Sequence, residues 1–345
     1  MEYSPTEYGS LILIANDYRY FYSIIQQMQV KKIPDDFIMC SLPFLGLLVD
    51  GTEDWLNAMK NKHRDWEEIC HENLLFTDKE KQFYEKMRNS IKMWDCTYDE
   101  AKHQITEAYR RSENHFSSIS NFIVRKLHLY DIYGINIVNN KYCCGNTILM
   151  SIYYPDFSYS NIKGEEIRNL SEIAGRYAGT FLSLIEKVGY KLKSHLQFVS
   201  KDFGGFKKLS IQKNMDYFVL FSLLCQIQFV LYCIDQYIEE ECSTKLRFAY
   251  LQYYYTNIIL SEANERLGTE FYIDNTFISS KFRNAMAHYK LGVSLKAKDL
   301  KIDDCFLGLT QKYFHSDYMT VKTAIINSLY DVSRQLNAFL EIDIK

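Results

Sequence analysis

Between residues 279 and 292 the chain reads SSKFRNAMAHYKLG, and Arg283, Asn284 and His288 stand within two helical turns of one another in otherwise apolar company. Arginine presents a planar fork that matches two phosphate oxygens at once. Histidine changes charge near neutral pH and so moves protons, and an asparagine beside them can orient either partner. At about 100° per residue Asn284 and His288 share one helix face, whereas Arg283 lies roughly 140° round and converges on His288 only through its length or across an interface. From Asn275 to Lys298 the chain carries Lys281, Arg283, Lys290, Lys296 and Lys298 and neither Asp nor Glu. Such a stretch suits a phosphodiester, with Arg283, Asn284 and His288 as candidate catalytic residues and Lys281 and Lys290 as candidate substrate-binding residues.

Helical elements must position this motif. Its own helix is expected to begin at Ser279 or Ser280, whose hydroxyls suit an N-cap, and to end at Gly292. Apolar residues recur three and four apart from Ser10 to about Ser118, with Thr97 and Glu100 placed as a capping box. The segment near 135–152 breaks that period. Two β-prone stretches around Asn139-Asn140, with a turn near Gly145, predict a small hairpin there. Helix is expected again from about Gly164 to Phe198, then the glycine pair in DFGG at 202–205 punctuates the chain. The expectation is all-α with two helical domains, 1–203 and 206–345. Four helices form the second, near Asn214–Glu240, Thr244–Arg266, the motif helix and Tyr318–Leu340, joined late by a long connection.

Composition agrees with helix. Hydrophobic residues make up 47% and charged residues 24%, with only 14 Gly and 4 Pro to interrupt the backbone. A net charge of -3 and a pI near 6.3 exclude a general binder of nucleic acid or anionic membrane, so any polyanion site is local. The nine cysteines, Cys143 and Cys144 adjacent among them, follow no disulfide spacing and suggest a reducing, cytoplasmic setting. No basic start and apolar run of a secretory signal opens the chain. The apolar run Tyr217–Ile234 approaches a membrane span in length, but Gln226 and Gln228 interrupt it and a central bundle helix is the expectation. Glycine-rich phosphate loops, HExxH, paired CxxC and GxSxG are missing, so no metal and no cofactor is expected. Asp35-Asp36 and Asp303-Asp304 read as solvated loop acids.

The stretch carrying Arg283, Asn284 and His288 resembles the signature of the HEPN superfamily, in which Arg and His stand a few residues apart with Asn often following the Arg. Arg64 to His71 and Arg110 to His115 have similar spacing. Only the copy at 283–288 has the Asn, the small Ala285 and Ala287, Tyr289 and a four-helix context. The resemblance covers the C-terminal two fifths and implies a HEPN-like four-helix bundle over 206–345. It implies a metal-independent endoribonuclease acting on RNA and leaving 2′,3′-cyclic phosphate ends, as in toxin and phage-defence systems. It further implies a homodimer whose site forms between chains, with an antitoxin or regulatory protein as a further partner. The alternative is a non-catalytic HEPN module that binds RNA, a nucleotide or a protein. Lys290 stands where some members carry a modifiable tyrosine, so that mode of regulation is not expected.

Overall fold

A computed structural model describes residues 3–73, 77–115, 133–153, 164–185, 188–194, 196–201, 214–289 and 295–342. The described residues are 70% helical and contain one small three-stranded sheet. The elements run α1 (Pro5–Gln29), α2 (Asp36–Lys60), α3 (Arg64–Asn73), α4 (Asp78–Asn89) and a 3₁₀ turn (Ser90–Lys92), then α5 (Tyr98–His115). Next come β1 (Ile135–Val138), β2 (Tyr142–Asn146), α6 (Thr147–Tyr153), α7 (Gly164–Leu182) and β3 (Phe198–Lys201). The last part holds α8 (Met215–Gln228), a π-helical continuation (Phe229–Asp235), α9 (Ser243–Leu267), α10 (Ser280–Ala287), α11 (Leu309–Phe314) and α12 (Tyr318–Leu340).

Local chemistry sets many of these boundaries. Ser4 and Glu7 form a capping box at α1, Thr77 and Glu80 another at α4. At α5 the expected pair is present: Glu100 N–H donates to Thr97 Oγ1 at 3.3 Å and Thr97 N–H to Glu100 Oε2 at 2.9 Å. Gly268 closes α9 with φ of 66°, a left-handed conformation that glycine adopts without strain.

The expected hairpin is larger than predicted in one direction and smaller in the other. Asn139 and Asn140, at φ of 52° and 55°, turn β1 into β2. Gly145 lies inside β2, not in a turn, and a Cβ there would meet Cys40 Sγ at 2.6 Å, so the close approach of α2 calls for the glycine. Residues from Thr147 leave as helix α6, and β3 pairs antiparallel on the other side of β1, giving the order β2-β1-β3. The helix expected to reach Phe198 therefore stops at Leu182. Pairing over such a separation leaves no local trace in sequence.

The apolar run at 217–234 is a core helix. Although Met215–Asp235 is long and apolar enough to cross a membrane, 89% of its most apolar window is buried within the protein. The glutamines that interrupt the run are all engaged. Gln226 accepts from Trp94 Nε1 and donates to the Tyr153 hydroxyl, while Gln228 donates to Ser333 Oγ at 3.1 Å.

The glycine pair Gly204-Gly205 lies outside the described residues. Side chains from both sides of it enter one hydrophobic cluster. Phe44 of α2 stacks on Phe248 of α9 with centroids 4.2 Å apart, α1 packs on α9, and α5 packs on α8.

Two glycines of α2 govern how closely its neighbours approach. A Cβ on Gly46 would stand 2.5 Å from Met87 Cβ and 2.6 Å from the backbone nitrogen of Arg88. One on Gly51 would stand 2.5 Å from the Tyr289 ring. α4 and the segment after α10 are thus seated on bare backbone. Gly46→Ala gains about 1 kcal/mol of helix propensity but loses about 1–3 kcal/mol through overpacking against backbone that cannot yield. A net loss of stability is expected in chemical denaturation, and a variant as stable as the wild type would refute this account of the α2–α4 contact.

Candidate functional site

Helix α10 is shorter than its sequence suggests. Ser279 caps it, its hydroxyl accepting from Phe282 N–H at 3.2 Å as expected. The helix ends at Ala287, however, and His288 is extended at φ −128°, ψ 118°. No glycine or proline causes this. Tyr289 is pulled into the core, where its hydroxyl donates to Asp17 Oδ2 at 2.5 Å. Asp17 also accepts from Thr244 Oγ1 at 2.8 Å and lies 3.0 Å from Arg247 Nη1, both partners of that ion pair being 1% exposed. The Arg247 guanidinium lies over the Tyr289 ring, 3.5 Å from its centroid. Burial pushes the Asp17 carboxyl upward, opposed by Arg247, Tyr289 and Thr244. This buried network fixes the residue next to His288 to α1 and α9.

The predicted site residues separate. Arg283 and His288 share a neighbourhood, whereas Asn284 is exposed and its side chain makes no hydrogen bond among the described residues. Because His288 has left the helix, the shared face expected for Asn284 and His288 does not form. Lys281 is exposed, and Lys290 lies outside the described residues. Arg283 rests near two aromatic faces, 5.2 Å from the Tyr254 centroid and 5.7 Å from that of Tyr255, with its Nε buried and without a hydrogen-bond partner.

Groups from the first third of the chain complete the neighbourhood. Arg88, at the end of α4 and 8% exposed, brings Nη2 to 2.7 Å from His288 Nδ1 and 3.3 Å from Nε2. The same nitrogen donates to the Ala287 carbonyl at 3.1 Å, and Nη1 is ion-paired with Asp50 of α2. Lys92, four residues on, is near enough that burial, Arg88 and Arg283 together lower its pKa. His288 is thereby held neutral. Burial first, then the charges of Arg88 and Lys92, bring its pKa down to about 4, Asp54 opposing and Arg283 adding to the fall.

No protein-family model, curated protein or solved structure matches this chain. The site's chemistry therefore rests on its own geometry.

Arg88 and Lys92 were not singled out by sequence. Their signal is faint: in MRNSIKMW, residues 87–94, two cations four apart interrupt residues that pack inward. The other two spaced Arg–His pairs offer less. Arg64 and Arg110 are exposed and pair with Glu68 and Glu107 of their own helices, and the side chains of His71 and His115 are outside those described. Cys143 and Cys144 are buried and in no disulfide, and burial pushes the thiol of Cys144 up, which suits packing rather than nucleophilic work. Among the described residues no three His, Cys, Asp or Glu side chains are placed to hold a metal ion.

Proposed function

We propose that this chain is a metal-independent endoribonuclease of HEPN type, with His288 as general base and Arg283 as the charge-stabilising group. The observation that carries the reading is the convergence of a half-buried neutral histidine with Arg88, Lys92 and Arg283 on one patch. His288 takes the proton of a ribose 2′-hydroxyl as that oxygen attacks the adjacent phosphorus. Arg283 stabilises the charge that grows on the phosphorane oxygens, and the P–O5′ bond breaks with protonation of the leaving oxygen by water. The products are a 2′,3′-cyclic phosphate and a 5′-hydroxyl. RNA is the substrate, a homodimer the working form and a toxin or phage-defence system the setting, with an antitoxin or regulatory protein as partner.

Cleavage of total cellular RNA and purified tRNA in EDTA tests this, with analysis of the product ends. Cyclic phosphates that persist in EDTA are expected. Intact RNA, or cutting that EDTA abolishes, overturns the reading.

A second reading has one observation in its favour. Arg88 stands against both nitrogens of His288, and Asn284 takes no part, which suits a module that holds RNA without cutting it. Tight binding of RNA that stays intact is the result expected of such a module.

A further inference from the structure

A neutral imidazole has one lone pair, and Arg88 covers it. Both ring nitrogens of His288 lie within 3.3 Å of Arg88 Nη2, so whichever is unprotonated faces a group that only donates. The ion pair with Asp50 and the bond to the Ala287 carbonyl hold the guanidinium there. Near neutral pH a base so engaged accepts no proton until the guanidinium withdraws.

An anion that competes with Asp50 would draw it away. The surroundings suit such an anion. Lys92 makes no ion pair among the described residues, and Arg283 lies by the rings of Tyr254 and Tyr255 with no carboxylate paired to it. The Nε atoms of both Arg88 and Arg283 are buried donors without partners, and a buried guanidinium nitrogen left unbonded is costly. The acids that face this patch are Asp50 and Asp54 of α2, Glu85 of α4 and Asp95 beyond the 3₁₀ turn. Of these, Asp50 alone is ion-paired with a cation of the patch. Whereas the family resemblance places the site between two chains, here a second set of cations comes from α4 and the 3₁₀ turn after it in the same chain.

We propose that Arg88 and Lys92 complete a phosphate-binding site within one chain, and that an RNA phosphate seated among Arg88, Lys92 and Arg283 takes the guanidinium from Asp50 and frees His288. This rests on the phosphodiester reading of Arg283 and His288. Arg88 and Lys92 are binding and positioning residues in it. They carry no step of the cleavage.

The test uses a short 2′-O-methyl oligouridylate, which offers phosphates but no attacking hydroxyl. The His288 imidazole resonance, assigned by its loss in His288→Gln, is titrated with pH in the full chain, with and without the probe. Alone, the midpoint is expected near 4. Bound probe should raise it by about one unit or more, since an anion replaces a cation beside the ring. Arg88→Gln should raise it without probe. Lys92→Met, at a half-buried position whose loss leaves the Arg88 contacts in place, should weaken probe binding about tenfold, the loss of one charge-assisted contact. A probe that fails to bind, binds without moving the His288 midpoint, or binds Lys92→Met as tightly as wild type overturns the proposal. Binding and a midpoint shift without cleavage of native RNA would sustain this site and remove the nuclease.

Discussion

His288→Ala is expected to lower RNA cleavage by about 10²- to 10⁴-fold, the usual contribution of a positioned proton-transfer group, while the protein stays folded. The side chain is half-buried at the edge of the core, and its polar contact is Arg88, which keeps Asp50 and the Ala287 carbonyl when the ring is gone. pH dependence separates a base from a bystander. Neutral His288 is the form that accepts a proton, and with a pKa of about 4 it is neutral throughout the ordinary range. Wild-type kcat/KM, which reports the free enzyme, should therefore fall on the acid side through pH 4 and not near the unperturbed value of about 6.5. Stability moves in the same sense. Between pH 6.5 and 4 the unfolded chain binds a proton at His288 that the folded chain refuses, so stability is full above the upper value and declines as pH falls through this window. His288→Gln should flatten that decline in thermal melts. Cleavage by His288→Ala at the wild-type rate would end the assignment of the base.

Arg247→Met is expected to cost about 3–5 kcal/mol in chemical denaturation, the effect of stranding a buried carboxylate. Asp17 and Arg247 are both 1% exposed, and the guanidinium nitrogens have no well-formed hydrogen bond despite the 3.0 Å approach to Asp17. Their attraction is thus a contact of charges, reinforced by the stacked Tyr289 ring. Met fills similar volume but leaves Asp17 with only Tyr289 and Thr244. The double variant Asp17→Asn, Arg247→Met removes both charges and should recover part of the loss. A loss of under about 1 kcal/mol in the single variant would mean that water reaches Asp17. Because Tyr289 adjoins His288, the single variant should also broaden the His288 resonance in NMR spectra.

Several elements were legible without coordinates because their causes are local. Thr97 and Glu100 announce α5, Ser279 announces α10, Asn139-Asn140 announce the β turn, and α12 runs from Tyr318 to Leu340 as its apolar spacing predicts. Side-chain caps and helical periodicity act within four residues, so sequence carries them directly. The third strand and the early end of α10 were not legible. Residue 201 pairs with residue 135, and Tyr289 answers to Asp17 across almost the whole chain.

The same division runs through the site. By itself the sequence set Arg283 and His288 within two turns of one another, in a basic stretch of a helical protein, with chemistry suited to phosphate. Tertiary structure alone decided that Asn284 stays outside, that Arg88 joins from α4 and Lys92 from the 3₁₀ turn after it, and that His288 is neutral and covered. Spacing along a helix fixes which residues are neighbours within one element. Which charges from distant elements meet depends on how closely backbones pass, here on Gly46 and Gly51 admitting α4 and Tyr289 to α2, and burial of those charges then sets their protonation.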